Sequence, residues 1–415
     1  MADRLVYLDN NATTRPAPEV VEAVLPFLNE GFGNPSSSHA VGAPARHAVE
    51  TARQSVAELL GTEPGRVFFN SGATEGANTA IYSALEALPE RKQIITVRTA
   101  HSALLEVSRF LGERGYRVTE LDVDRLGRVD LDQLKSEVSG DTALIATLWV
   151  NNETGVIHPI DKIGDIAKQY GAMFFVDAVQ APGKLNIDLG ASKAVDYMTI
   201  TGHKFHGLKG SGAMFVREGA HFEPLVRGGG QEHRMRAGTE NVPGIVALGA
   251  AAKLVREGRE RRLPAIEALR DRLQDGLIKA VPGVVVNGDP QMRVATTLNV
   301  GFEYVSAEAL LMMLDARGIC ASAGSACHSG AMEPSYVLRA MGVPVAALHG
   351  SVRFSLGWDT TEEEIDYVLT EVPPMIERLR ELSPLEPPTG TGTGPEEDLK
   401  AHKEYFTGSP TQQLR

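Results

Sequence analysis

Short apolar runs alternate with amphipathic stretches between residues 65 and 260. This alternation is typical of a parallel sheet whose faces are covered by helices. Helices are predicted over Ala45–Leu60, whose apolar positions share one face and end at Gly61, and over Asp161–Tyr170. Six strands are predicted at Val67–Asn70, Ile94–Val97, Leu144–Val150, Phe174–Val176, Met198–Ile200 and Ala213–Val216. The pattern indicates an α/β domain with a mainly parallel sheet.

The pattern changes at about Leu263, where a long helix is predicted to start and to run to Ala280. The last predicted helix begins at Thr360, because Glu363 lies three residues further on at the spacing of a capping box, and it ends near Leu382. Between these helices we predict strands at Val284–Val286, Leu298–Val300 and Val352–Leu356 and a helix over Ala307–Arg317. This mixture indicates a smaller α+β domain.

Three regions follow from these patterns. Residues 15–260 are predicted to form the large domain, and residues 1–14 and 261–383 to form the small domain. Residues 384–415 are rich in Pro, Gly, Thr and charged residues and have no periodicity. We therefore predict a flexible C-terminal tail there.

The composition is that of a soluble enzyme, with 43% hydrophobic and 23% charged residues among 415. A net charge of -12 argues against nucleic acid or an anionic membrane as the main partner. We expect a cytoplasmic protein, because the N-terminus lacks signal-peptide features and no apolar stretch is long enough to span a membrane. The two cysteines, Cys320 and Cys327, fit neither a CxxC pair nor a metal-ligand pattern, so no disulfide or metal site is predicted.

A candidate anion site follows the first predicted strand. Ser71–Glu75 contains small residues, including Ala73, and the hydroxyl of Thr74, and it leads into a helix. Exposed backbone N–H groups at a helix N-terminus suit a phosphate. An ordinary capped helix start would have the same residues, so the segment alone leaves both interpretations open.

Polar residues also follow the other predicted strands. Asp177 comes directly after Phe174–Val176, and a carboxylate there needs a cation, such as the protonated ring nitrogen of a pyridine cofactor. A helix cap or a structural salt bridge is the alternative for Asp177. His101 follows another strand, while Asn152 and Gln180 are either site residues or ordinary turn and helix residues.

Lys204 is the most specific element, because Thr201-Gly202-His203-Lys204 comes directly after the predicted strand Met198–Ile200. Desolvation and nearby positive charge lower a lysine's pKa, which favours a Schiff base with an aldehyde cofactor. Most lysines are solvated surface charges, so the interpretation of Lys204 as a Schiff-base lysine depends on the residues around it. A phosphate cradle, an acid for a ring nitrogen and a lysine together indicate a pyridoxal-phosphate site.

Two further features bear on the substrate. Cys327 lies in a run of small residues, 321–330, so we expect its thiol on a mobile, accessible loop, whereas Cys320 is expected in the core. In Val352–Leu356 the apolar residues alternate with Arg353, which is therefore expected to point away from the core and to bind a substrate carboxylate. An ordinary surface salt bridge is the alternative for Arg353.

At these residues the sequence resembles the cysteine desulfurases of the NifS and IscS group, which are pyridoxal-phosphate enzymes of the type I fold. The likeness extends from Tyr7 to about Pro384 and rests on eight ordered runs: Tyr7–Thr14, Ser71–Glu75, Val150–Gly155, Asp177–Gln180, Gly202–Lys204, Arg236–Asn241, Gly324–Cys327 and Val352–Leu356. The resemblance implies a large α/β domain and a smaller α+β domain.

The resemblance also implies roles for the site residues. Lys204 would hold the cofactor, Asp177 would pair with its ring nitrogen, and His101 would stack on the ring and move protons. Asn152 and Gln180 would contact the ring face or its hydroxyl. The phosphate ligands would be Thr74, Thr201 and His203, with Thr239 reaching across from the second subunit of a homodimer.

A cysteine desulfurase converts L-cysteine to L-alanine, and here Cys327 would receive the sulfur as a persulfide while Arg353 and Asn152 bind the substrate. The persulfide would pass to an iron–sulfur scaffold or another thiol acceptor. Details around Arg236–Asn241 look closest to the NifS branch, which serves nitrogenase clusters, and the housekeeping branch stays open. His328, which follows the cysteine, leaves the thiol's pKa open.

Three other interpretations stay open. A selenocysteine lyase or another pyridoxal-phosphate enzyme would need no nucleophilic thiol, but the predicted loop around Cys327 favours the desulfurase. A sulfur-carrier or scaffold subunit would use the same fold for docking alone. Bound cofactor and the release of alanine from cysteine would exclude the interpretation as a carrier or scaffold subunit.

Overall fold

The computed structural model describes residues 4–323 and 334–383 of the chain. The predicted nucleophile Cys327, its neighbour His328 and the predicted tail 384–415 lie outside the described residues. Their proposed roles stay predictions.

Strands and helices alternate through the first two thirds of the chain. The strands are β1 Val6–Tyr7, β2 Val67–Asn70, β3 Gln93–Val97, β4 Arg117–Leu121, β5 Thr142–Leu148, β6 Met173–Asp177, β7 Tyr197–Thr201, β8 Gly212–Val216, β9 Val284–Asn287, β10 Thr297–Phe302, β11 Ile319–Cys320 and β12 Ser351–Ser355. The α-helices are α1 Pro18–Leu28, α2 Gly42–Leu60, α3 Ala73–Ala87, α4 Ser102–Gly112, α5 Leu131–Glu137, α6 Ile160–Gln169, α7 Val242–Ala280, α8 Ala307–Ala316, α9 Tyr336–Ala340, α10 Val345–Leu348 and α11 Glu362–Leu382.

Seven strands form the central sheet, in the order β2-β8-β7-β6-β5-β3-β4. Only β8 runs antiparallel to its neighbours, so the sheet is mainly parallel as predicted. Every residue of β3, β5, β7 and β8 is buried, which explains their continuous apolar sequences. All six predicted strands of this sheet are present. The strand β4 was missed because it lies at the sheet edge and three of its five residues are polar.

The long helix α7 begins at Val242, and the predicted start at Leu263 is therefore wrong. Its first half contains small residues and packs closely on α2: a Cβ at Gly249 would lie 2.5 Å from the Cα of Ala52. Small residues give a weak apolar periodicity, which is why this half was missed. The helix also runs without a break through the predicted boundary between residues 260 and 261.

A second hydrophobic cluster joins the two ends of the chain. Val6 and Leu8 pack with buried residues between Ile266 and Ile376. Here β12, β10 and β9 form an antiparallel sheet, and β1 pairs with β11. The predicted α+β character is confirmed, while the boundaries of the two domains stay a prediction. None of the helices in residues 4–323 and 334–383 is both long and apolar enough to cross a membrane.

The capping box of α11 lies one residue later than predicted. Thr361 is the N-cap residue, its hydroxyl accepts from the N–H of Glu364, and the Glu364 carboxylate accepts from the N–H of Thr361. The hydroxyl of Thr360 instead accepts from the N–H of Gly357. Two adjacent threonines followed by acidic residues make the two registers indistinguishable from the sequence.

Candidate active site

A cavity of about 470 Å³ lies where the carboxyl ends of β5, β6 and β7 meet the start of α3. This is the edge at which an open parallel sheet binds ligands. The cavity brings together ten of the predicted site residues: Ala73, Thr74, His101, Asn152, Asp177, Gln180, Thr201, His203, Lys204 and Arg353. Thr239 is exposed and does not line the cavity of this single chain, and Cys327 lies outside the described residues.

Lys204 reaches the cavity from a single 3-10 turn, Gly202–Lys204, that follows β7. Its Nζ donates hydrogen bonds of 2.8 Å to the backbone oxygens of Asn11 and Ala12. The N–H of Thr14 donates to the oxygen of His203 at 2.8 Å, so the N-terminal segment is attached to the same turn. The amine is thereby held among the residues that line the cavity.

The predicted anion cradle is the uncapped N-terminus of α3. Gly72 is the N-cap residue, with a φ of 150°, and no side chain in the described part of the chain caps the helix, so its first N–H groups have no intrahelical partner and border the cavity. Gly76 allows the helix to approach β7 closely, because a Cβ there would lie 2.3 Å from Oγ1 of Thr199. Free N–H groups and the helix dipole favour an anion at this position.

Two other predicted phosphate ligands stand beside this helix end. The hydroxyl of Thr201 donates to the oxygen of Ser211 at 3.1 Å, and Nδ1 of His203 lies 3.2 Å from Oγ1 of Thr13. Burial, followed by the charges of Lys204 and Lys209, lowers the pKa of His203 to about 4. His203 is therefore neutral at pH 7 and suits a hydrogen bond rather than an ion pair.

Asp177 is the last residue of β6 and is buried beside the cavity. Its Oδ1 accepts from the N–H of Val179 at 3.0 Å. Burial raises the pKa of Asp177, while the charge of His101 and that of Lys204 act in the opposite direction. A buried carboxylate in this position favours a cationic ligand atom close to it.

His101 caps α4 and also faces the cavity. Its Nδ1 accepts from the N–H of Ala103 at 3.2 Å, so the neutral ring carries its proton on Nε2. Burial lowers the pKa of His101, and the charge of Asp177 only partly opposes this. A neutral ring at pH 7 can both stack on an aromatic ligand and exchange a proton at Nε2.

Arg353 lines the cavity, and its strand neighbours Val352 and Phe354 pack in the hydrophobic cluster, which fits the predicted alternation, although Arg353 is itself only 2% exposed. Its Nη2 pairs with Oδ1 of Asp9 at 2.7 Å, and its Nη1 donates to the oxygen of Asn152 at 2.9 Å. Its buried Nε has no hydrogen-bond partner among the described residues. The N-terminal segment and Ser322 cover β12 through isolated bridges, which explains the burial.

Sequence reasoning missed two residues that organise the site, Asn11 and Lys184. Asn11 belongs to the run Tyr7–Thr14 but was given no role, although its backbone oxygen accepts from both Lys204 and Gln180. Lys184 lies four residues after Gln180 and donates to the side-chain oxygens of both Gln180 and Asn11. No local pattern marks a half-buried lysine whose partners are two amide oxygens.

Cys320 also differs from its prediction. It is half-buried on β11 rather than fully in the core. Burial raises the pKa of its thiol, with smaller contributions from Asp315 and Asp9. Cys320 is thus a poor candidate for a reactive thiolate.

The residues present fit pyridoxal phosphate. The uncapped helix α3 suits the phosphate, the buried carboxylate of Asp177 suits a protonated ring nitrogen, and the amine of Lys204 suits an aldehyde. All three line one cavity.

Comparison with known proteins gives the class. The profile of the family Aminotransferase class-V matches residues 6–368, so the chain belongs to this family of pyridoxal-phosphate enzymes. A cysteine desulfurase of Trichormus variabilis is 52% identical over 92% of this chain and 95% of its own, and the cysteine desulfurase NifS of Azotobacter vinelandii is 48% identical over 96% and 98%. A solved NifS-like protein superposes with a TM-score of 0.85 at 36% identity, covering 91% of this chain and 100% of its own.

Within the class-V family the chain belongs with the cysteine desulfurases. Its activity is the pyridoxal-phosphate-dependent removal of sulfur from L-cysteine. The predicted fold class, cofactor and reaction are confirmed.

Proposed function

We propose that the cavity residues divide the work of the desulfurase between cofactor and substrate. Lys204 would hold the cofactor through its aldehyde, Asp177 would pair with the ring nitrogen, and the start of α3 with Thr74 would bind the phosphate. His203 and Thr201 would be further phosphate ligands, and His101 would stack on the ring. Asn152 and Gln180 contact the ring face or its hydroxyl.

When bound, pyridoxal phosphate supplies an aldehyde for the substrate amine and an electron sink for the α-carbon. Arg353 binds the substrate carboxylate together with Asn152, because its Nε is buried beside the cavity and has no hydrogen-bond partner within residues 4–323 and 334–383. The amine of Lys204 would act as the base for the α-proton. The proton on Nε2 of His101 is available for exchange with the substrate thiol.

The sulfur acceptor of this proposal is Cys327. Its thiolate attacks the substrate sulfur, the S–S bond forms as the C–S bond breaks, and the carbon skeleton takes up protons and leaves as L-alanine. L-Cysteine and the enzyme thiol thus become L-alanine and the enzyme persulfide, with no external oxidant or reductant. The persulfide then passes to an iron–sulfur scaffold or another thiol acceptor.

The wider setting is part of the same proposal. The enzyme works in the cytoplasm as a homodimer in which Thr239 of one subunit completes the phosphate site of the other. The exposure of Thr239 in the single chain supports this arrangement. Similarity to the Azotobacter vinelandii NifS supports a role in iron–sulfur cluster assembly, including nitrogenase clusters.

The observation that carries the proposal is the meeting of Lys204, Asp177 and the uncapped end of α3 in one cavity. The test is reduction of the cofactor-loaded enzyme with borohydride and mapping of the labelled peptide by mass spectrometry. The label is expected on Lys204, and Lys204→Ala is expected to abolish alanine formation from L-cysteine. Lys162→Ala, at an exposed lysine of α6, serves as the control with parental turnover. A label on another lysine, or substantial turnover by Lys204→Ala, would contradict the assignment.

A further inference from the structure

Lys184 is a second lysine behind the cavity wall. It follows a tight turn in which its N–H donates to the oxygen of Ala181 at 3.0 Å. Gly183 allows this turn, because it has a φ of 72° and a Cβ there would lie 3.0 Å from Cβ of Val255. Lys184 borders a small pocket shared with Lys204 but does not line the main cavity, so any effect on a ligand is transmitted through its neighbours.

The partners of Lys184 are two amide oxygens rather than a carboxylate. Its Nζ donates to Oδ1 of Asn11 at 2.9 Å and to Oε1 of Gln180. Among the described residues it takes part in none of the ion pairs, and the charged groups that face it are Lys204, Arg353 and His206. A lysine held in this way orients its acceptors rather than neutralising an acid.

These bonds determine which way both amides point. Gln180 directs Oε1 to Lys184, so its Nε2 faces the backbone oxygen of Asn11 at 2.9 Å. Asn11 directs Oδ1 to Lys184, so its Nδ2 faces the oxygen of Asn152 at 3.1 Å and Oγ1 of Thr297 at 2.9 Å. A backbone oxygen can only accept a hydrogen bond, so both amide orientations follow from their partners.

A consequence for the cavity follows from donor counting. An amide nitrogen carries two hydrogens, and one of those on Gln180 is used by Asn11. Because its oxygen is directed at Lys184, buried Gln180 keeps its second N–H for a ligand in the cavity that it lines. An N–H donor suits an acceptor oxygen, such as the ring hydroxyl oxygen of pyridoxal phosphate.

We infer that Lys184 is a positioning residue for the cofactor, which it serves by holding the amides of Gln180 and Asn11 in this orientation. An apolar side chain in its place would take the Lys184 donor from two amide oxygens of buried residues, and only the N–H bonds to Asn11, Asn152 and Thr297 would then hold the two amides in this orientation. The inference rests on the proposed function, in which Gln180 contacts the cofactor.

The arrangement is insensitive to the protonation state of Lys184. Burial, together with the charges of Lys204 and Arg353, lowers the pKa of Lys184 to about 7. A neutral amine still carries two N–H groups, which are enough for the two amide oxygens. The orientation of Gln180 is therefore kept on both sides of neutral pH.

The test is a double-mutant cycle on cofactor binding to the apo-form of the full chain, titrated with pyridoxal phosphate by absorbance. Lys184→Met is expected to weaken binding about tenfold and to shift the absorbance maximum of the bound cofactor, because one donor to the ring is lost. Gln180→Ala is expected to weaken binding as much, and the double variant is expected to be no weaker than Gln180→Ala alone. Lys162→Met is the control at an exposed lysine.

The inference would be overturned if Lys184→Met bound the cofactor with parental affinity. It would also be overturned if the fold losses of affinity in the two single variants multiplied in the double variant. Gln180→Glu keeps the acceptor for Lys184 but removes the N–H, so this variant must also bind pyridoxal phosphate more weakly. If Lys184→Met does not fold, the result for Gln180→Glu decides the test. Borohydride mapping is repeated on Lys184→Met. A label on Lys204 with unchanged affinity refutes only the role of Lys184, whereas a label elsewhere refutes the proposed attachment.

Discussion

The substitution Glu232→Gln tests the ion pair between Glu232 and Arg53, which holds the loop that leads to Arg236–Asn241. The Glu232 and Arg53 side chains are 3% and 4% exposed, and Oε1 lies 2.7 Å from Nη2 of Arg53. The other carboxylate oxygen accepts from the N–H of Phe69 at 2.7 Å. Three successive residues, Glu232, His233 and Arg234, have φ values of 46°, 56° and 69°, so the pair holds a strained turn.

Removal of one member of a buried pair leaves an uncompensated charge, which costs about 3–5 kcal/mol. Arg53 keeps a second partner, since its Nε lies 3.3 Å from Oε2 of the half-exposed Glu50. We therefore expect Glu232→Gln to lower the free energy of unfolding by about 3 kcal/mol, at the lower end of that range. The same turn leads to Arg236, whose Nε binds Glu75 of α3 at 3.0 Å, so cofactor affinity is expected to fall as well.

The assay is urea denaturation of the cofactor-saturated protein, followed by far-ultraviolet circular dichroism. The matched control is Glu218→Gln, because Glu218 pairs with Arg66 at the same 2.7 Å but its side chain is 83% exposed. An exposed pair contributes at most about 1 kcal/mol, so this variant is expected to stay close to the parent. Equal losses in the two variants would refute the argument that burial determines the cost.

Two further predictions concern pH and the C-terminus. Burial lowers the pKa of His158 to about 4, whereas histidine in the unfolded chain takes up its proton below about pH 6.5. Because the unfolded state binds this proton first, the free energy of unfolding is expected to fall by about 2 kcal/mol between pH 7 and pH 5. His158→Gln is expected to reduce that pH dependence of the urea midpoint, and an unchanged dependence would assign it to other groups. Deletion of residues 390–415 is expected to leave cysteine-to-alanine turnover nearly intact with a small reductant, whereas loss of soluble protein or cofactor would show that this segment supports the fold.

The cavity could be predicted because its main residues occupy strand ends. Asp177 and Lys204 come directly after apolar runs, and the carboxyl ends of parallel strands meet at one edge of the sheet. The start of α3 was visible as small residues after a strand. Local sequence therefore carries most of the cofactor site.

The rest depends on contacts between distant segments. Arg353 is buried because Asp9 and Ser322 cover its strand. The alternation of residues along a strand does not predict which distant segments will cover that strand. Lys184 acquires its role from Asn11, which is far away in sequence. The left-handed turn at Glu232 contains no glycine, so the usual signal for positive φ is missing.

We propose that the thiol of Cys327 receives the sulfur released in the cavity, and the most direct test compares Cys327→Ala with Cys320→Ala. Alanine formed from L-cysteine is quantified, and the persulfide is mapped by mass spectrometry. Cys327→Ala is expected to keep the cofactor absorbance and to lose both products, since no thiolate takes the sulfur. Cys320→Ala is expected to match the parent, because burial raises the pKa of that thiol. Near-parental alanine formation by Cys327→Ala, or a persulfide mapped to Cys320, would contradict the account.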